Sequence, residues 1–129
     1  MYGEQAPQFE TSKLSAFIML HPALVILTHY DRGLDFTAQG LQHNILNPKD
    51  ELSVSFRHAY GNTLKPHHSM FVKPVFNLAM SATPYRADFY AKLGDDNDKV
   101  QREMKVWLEA LTKQVAILKS FLDRKEAKW

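Results

Sequence analysis

AYGNTLKPHHSMFVKPVFNLAMSATPYRADFYAKL, residues Ala59 to Leu93, is the stretch on which the fold turns. Leu64, His68, Phe71, Val72, Val75 and Ala79 recur at steps of three and four, the period that places side chains on one face of a helix. A helix over 67–82 is therefore expected. Pro66 should interrupt the pattern before it, Pro74 should remove one backbone hydrogen bond and bend it, and Thr83-Pro84 should end it. His68 then stands as a hydrogen-bonding group within a wide apolar face. His67, one residue earlier, points about 100° away around the helix.

The same period extends in both directions. Upstream, Met1 to Ser12 reads as a frayed tail, and a helix starting near Ser12 should break or restart at Pro22, which suits a first helical turn. From there the pattern runs to about Leu46 with Leu27, Tyr30, Leu34, Leu41 and Ile45 as its stripe. Gly33 and Gly40 weaken such a helix and point to close packing against a neighbour. After the turn signal Asn47-Pro48, Asp50 is expected to cap a helix reaching Lys65, with Leu52, Phe56, Ala59, Tyr60, Thr63 and Leu64 facing inward. Downstream, Tyr85, Phe89 and Leu93 align on a short helix. Gly94 suits its end and Asp96 the start of the next. The last helix, from about Asn97 to Lys125, carries Val100, Met104, Trp107, Leu108, Leu111, Val115, Leu118 and Leu122 on one side and charge on the other. No strand pattern appears, so the fold class is all-α with about five helices.

With 129 residues, 45% of them hydrophobic, the chain has enough for one domain with a core. A net charge of +2 is too weak to point to nucleic acid and is compatible with an anionic membrane surface. The absence of cysteine excludes disulfides, thiol nucleophiles and cysteine-bound zinc, and makes a reducing cytosol the natural default. The apolar run from Ala16 to Tyr30 is interrupted by His21 and Pro22 and falls short of the roughly 20 residues of a spanning helix. There is no HExxH, no histidine pair at i, i+4, and no GxSxG elbow. No metal, no cofactor and no enzyme activity are expected.

Four motifs add a family resemblance: RGLDF (Arg32 to Phe36), AYGNTLKPHHS (Ala59 to Ser69), PYRADFYAKLGDD (Pro84 to Asp96) and the tail KEAKW. Their order and spacing resemble the C-terminal part of the glycolipid transfer protein (GLTP) domain in its fungal heterokaryon-incompatibility form, from about Tyr30 to Trp129. The resemblance implies a GLTP-like helical sandwich, shortened at the N-terminus. It also implies transfer of glycosphingolipids between membranes, without covalent chemistry, by a cytoplasmic protein peripheral to membranes. Residues 29–129 are expected to form the family part, behind a divergent leader over 1–28. The resemblance places the family's amide-binding histidine at His68, with His29 and Arg32 nearest the headgroup. It would have Phe36, Leu64, Phe71, Val72, Val75, Phe76 and Trp107 line the lipid chains, and Met70 with Phe71 touch the membrane.

Against this stand plainer readings: His68 as a hydrogen-bonded core residue, and Met70, Phe71 and Val72 as core. The chain also departs from the family pattern. The family reads its sugar with an Asp, an Asn and a Lys on an early helix and stacks it on a Trp. Nothing before Arg32 matches the former, and His29 holds the Trp position. Neither His29 nor Gly33 is the basic residue that ceramide-1-phosphate selectivity would need. Poor headgroup discrimination, marginal stability and self-association through exposed apolar faces are the corresponding expectations. The alternative function is a small helical interaction module or a peripheral membrane binder without transfer.

Overall fold

One long helix, α1 (Gln8–Leu46), is the spine on which the other elements are laid. The computed structural model describes the backbone of residues 8–124 and the side chains of residues 22–124. After α1 come α2 (Leu52–Asn62), a 3₁₀ turn (Lys65–His67), α3 (Val72–Ser81), α4 (Arg86–Leu93) and α5 (Asn97–Leu122). The described residues contain no strand, so the class is all-α. α2 and α5 each pack along α1, α3 leans on α2, and α4 leans on α5. Asp31 of α1 lies near Lys119 and Asp123, whereas Leu41 shares a cavity wall with Val100 and Met104, so α1 and α5 run antiparallel.

The inward faces of α2 and α5 follow the expected stripes. Leu52, Ala59, Tyr60, Thr63 and Leu64 are buried on α2 and in the residues after it, and Val100, Leu108 and Val115 on α5. Asp96 caps α5 by accepting a hydrogen bond from the Lys99 amide at 3.1 Å. On α5 only Trp107 departs, being 51% exposed.

Five local expectations fail. Glu51, not Asp50, stands at the N-cap of α2, without a side-chain capping bond, and the helix ends at Asn62 instead of reaching Lys65. α1 continues through Pro22; a proline costs one i→i−4 bond and a steric clash there, which a helix of this length absorbs. Tyr30 is exposed and its neighbour Asp31 is buried in its place. The continuous helix over 67–82 is absent: His68 is extended (φ −100°, ψ 140°) and α3 starts only at Val72. Pro74 therefore sits in the first turn of α3, where its missing N–H has no intrahelical partner to lose. On α4 the buried residue is Tyr90, while Tyr85 is exposed.

Gly40 shows the close approach that its composition predicts. A Cβ there would stand 2.6 Å from the Phe56 ring, whereas one at Gly33 would meet nothing within 4 Å. Gly40→Ala should cost about 1–3 kcal/mol by overpacking, and Gly33→Ala should be neutral or mildly stabilising; denaturant unfolding of both variants checks the contrast. At Gly94 the backbone is extended, and space is the constraint, since a Cβ would lie 2.9 Å from Val100 Cγ2.

Asp31 is 7% exposed, and its Oδ1 has no hydrogen-bond partner among the described residues. Burial, reinforced by Asp35 and Asp123 against the opposing Lys119 and Arg32, raises its pKa above the ordinary 3.8. A raised carboxyl pKa means that the folded state holds its proton longer than the unfolded state. The ionised group therefore weakens the fold at neutral pH, and the penalty fades as pH falls toward 3.8. Asp31→Asn is expected to raise the melting temperature at pH 7 by roughly 2–5 °C, with the gain shrinking as pH falls toward 3.8; thermal melts across that range check it.

Candidate functional site

Aromatic rings from three elements meet beside His68. Tyr60 and Phe56 come from α2, Phe36 from α1 and Phe76 from α3. Leu64, just beyond α2, and Met80 close the cluster from behind. Phe36 meets Phe56 at 5.3 Å and Tyr60 edge-on at 6.3 Å between ring centres. Tyr60 and Phe76 stack nearly parallel at 5.5 Å. Such contacts add about 0.5–1.5 kcal/mol per pair beyond the area they bury.

The His68 imidazole rests on this wall, 4.5 Å from the Phe76 ring centre, with Nδ1 2.9 Å from the Tyr60 hydroxyl. Burial, then the nearby charges of His67, His29 and Lys73, push its pKa below 6.5, which favours the neutral ring at pH 7. A neutral imidazole presents one donor and one acceptor, and Tyr60 engages only one of its nitrogens. Among the described residues the other has no partner, which leaves it open to an amide or hydroxyl. His67 is exposed, in the 3₁₀ turn; its separation from the site comes from that turn, not from the helical phase expected above.

The sequence-predicted site residues divide into two groups. The structure brings His68, Phe36, Leu64 and Phe76 into one cluster. His29 is exposed and lies on the same face of α1 as Phe36, two turns back, close enough for its charge to act on His68; Arg32 is half-buried between them in sequence. Met70, Phe71, Val72 and Val75 are not core: they are exposed, Phe71 by 90%, as is Leu78, so apolar side chains stand open on and just before α3. Trp107 stands apart, in a separate cavity of about 390 Å³ walled by Leu41, Phe89, Leu93, Val100 and Met104.

Between α2 and α3 lies an open groove of about 520 Å³ whose lining includes Tyr60, Met70, Pro74 and Met80, with Arg57, Lys65 and Lys73 at its edges. A larger cavity, about 830 Å³, opens near Glu51, Arg86, Asp95 and Gln101 on the far side. It is wide and mixed in charge, and it borders a hydrogen-bond knot described below, so size does not single it out as the site.

The sequence reading missed that knot. Asn44 is fully buried; its Nδ2 donates to Asp50 O at 3.1 Å and Ser55 Oγ at 3.0 Å. Its Oδ1 accepts from Arg86 Nη1 at 2.7 Å and Tyr90 Oη at 2.8 Å. Arg86 Nη1 also reaches Asn44 O at 2.7 Å, Asp50 O at 3.2 Å and Asn47 O at 3.3 Å, and its guanidinium lies 4.9 Å from the Tyr90 ring centre. The available signal was Arg86 and Tyr90 at i, i+4 in PYRADFY, one helical face carrying a fork donor and a phenol. Among the described residues no cluster of three metal-ligating side chains exists, and no helix is long and apolar enough to cross a membrane.

Comparison with known proteins adds a lineage to this geometry. Residues 12–95 match the family model described as glycolipid transfer protein (GLTP). A glycolipid transfer protein of Aureobasidium melanogenum is 59% identical over 109 residues, covering 84% of this chain and 54% of that protein. Human pleckstrin homology domain-containing family A member 8 is 35% identical over 101 residues, 71% of this chain and 19% of that protein. The crystal structure of HET-C2, a fungal glycolipid transfer protein, superposes with a TM-score of 0.82 at 58% identity, over 84% of this chain and 56% of that one. This chain thus spans about half the length of its fungal relatives.

Proposed function

The chain belongs to the glycolipid transfer protein family, and on that premise we propose that it binds the ceramide portion of a glycosphingolipid at His68 and carries it between membrane surfaces. The observation that carries this reading is an imidazole, hydrogen-bonded to Tyr60, on an otherwise apolar aromatic wall. The imidazole takes the ceramide amide. Phe36, Leu64 and Phe76 meet the chains nearest that amide, with Val72 and Val75 further out. The headgroup extends toward His29 and Arg32. Trp107 contributes only where a chain crosses to the α4–α5 side.

Met70 and Phe71 make the membrane contact. Both are exposed, just before α3, and open apolar side chains beside Lys65 and Lys73 suit an anionic bilayer surface. The role is peripheral, at the cytoplasmic face of membranes, and involves no bond-making step. Val106, Ile117 and Phe121, exposed on α5, give the chain a route to self-association, which sedimentation velocity would detect as a mass above the monomer's.

Transfer of fluorescent glucosylceramide from donor to acceptor vesicles tests the proposal. The expected result is transfer that scales with protein and is lost in Phe71→Asp. Co-sedimentation with vesicles but no transfer would replace the proposal with a peripheral binder; neither would leave a helical interaction module.

A further inference from the structure

His68 lies outside any helix, in an extended segment between the 3₁₀ turn and α3. No helical backbone fixes its ring, so its orientation depends on side-chain contacts. Phe76 supplies an apolar face, which sets a plane but not a direction of hydrogen bonding. Among the described residues its one polar contact is the Tyr60 hydroxyl, 2.9 Å from Nδ1. Tyr60 itself is rooted in the core, 6% exposed and wedged between Phe36 and Phe76.

We infer that Tyr60 is the positioning residue of the lipid site: its hydroxyl donates to His68 Nδ1 and holds the imidazole as the Nε2–H tautomer, so that the site offers a donor to a carbonyl oxygen. This rests on the reading of His68 as the ligand-binding histidine. Two proton arrangements fit the 2.9 Å distance. In one, Nδ1–H donates to the phenol oxygen; the phenol proton, on a residue only 6% exposed, is then left without an acceptor among the described residues. In the other, the phenol donates to bare Nδ1 and every buried proton is satisfied. An unmet buried donor costs about 1–3 kcal/mol, which selects the second arrangement. Burial also favours the uncharged form of both rings at neutral pH, raising the Tyr60 pKa and lowering that of His68. The ligand group favoured at Nε2–H is an acceptor, such as the acyl carbonyl of an N-acylated sphingoid base.

The test combines a spectroscopic and a binding readout. In ¹⁵N-histidine-labelled protein, two-bond proton–nitrogen correlation should show His68 as the Nε2–H tautomer, and Tyr60→Phe, which keeps the ring, should shift it to a mixture. Tyr60→Phe should weaken binding of a short-chain fluorescent ceramide by about three- to tenfold. In a His68→Ala background the same substitution should change binding less than twofold. A wild-type Nδ1–H tautomer, or an undiminished Tyr60→Phe loss in that background, would overturn the inference. If the wild-type chain bound no ceramide, the function proposed above would fall, and the tautomer result alone would decide the role of Tyr60. It would also decide it if Tyr60→Phe did not fold.

Discussion

Asn44→Ala is expected to lower the unfolding free energy by about 3 kcal/mol, a fall of roughly 9–15 °C in melting temperature for a domain of this size. The side chain is fully buried and makes four hydrogen bonds, two given and two received. Truncation strands the Tyr90 hydroxyl and one contact of the Arg86 guanidinium, and leaves a small cavity. Arg86 keeps its bonds to the carbonyls of Asn44, Asn47 and Asp50, which limits the loss. Tyr90→Phe alone should cost about 1 kcal/mol. Its cost should shrink in the Asn44→Ala background, because the partner is already gone. Chemical denaturation of the three variants measures the cycle, and additive losses would mean that the residues do not act as one knot.

His68→Ala is expected to weaken sphingolipid binding by about 1–3 kcal/mol, roughly five- to 150-fold. The substitution leaves the amide of the bound lipid facing Phe76 with no polar partner. It also frees the Tyr60 hydroxyl, so part of the loss reflects a disturbed wall. His67→Ala should change binding less than twofold, since His67 is exposed in the 3₁₀ turn. Glucosylceramide and ceramide should bind within roughly tenfold of each other, about 1.4 kcal/mol, because among the described residues the proposal brings His29 and Arg32 alone to the headgroup. Equilibrium titration with short-chain lipids checks all three. A strong preference for the glycosylated lipid would show a headgroup site that the residues named here do not make.

The long periodic segments were legible from sequence because one repeating face decides them. The stripes of α2 and α5 stand where the spacing of Leu52 to Leu64 and of Val100 to Leu122 puts them. The segment around His68 was not legible in the same way. Leu64, His68, Phe71 and Val75 keep a helical period, yet Pro66 opens a 3₁₀ turn and the chain is extended at His68. The periodicity therefore came from residues in three different local structures, and Phe71 and Val75 face outward. His68 still reaches an apolar surface, but Tyr60 and Phe76 provide it, not its own helix.

The site's polar partners were hidden for another reason. In the knot on the far side, Asn44 lies 42 and 46 residues from Arg86 and Tyr90, and each reads locally as an ordinary surface residue; only folding brings Asn44 to that pair. Tyr60 was read as an apolar face residue, and its hydroxyl became informative only once His68 lay within reach. Asp31 was overlooked because the helical stripe favours the adjacent Tyr30, while the packing of α5 against α1 covers Asp31 instead.

The location of the bound lipid is the claim on which the functional reading depends, and photoaffinity labelling tests it most directly. A ceramide carrying a diazirine close to the acyl carbonyl, cross-linked to the folded chain and mapped by mass spectrometry, should label residues between Tyr60 and Met80 together with Phe36. Labelling should fall in His68→Ala. Adducts confined to the Trp107 cavity or to the surface near Arg86, unchanged in His68→Ala, would contradict the account.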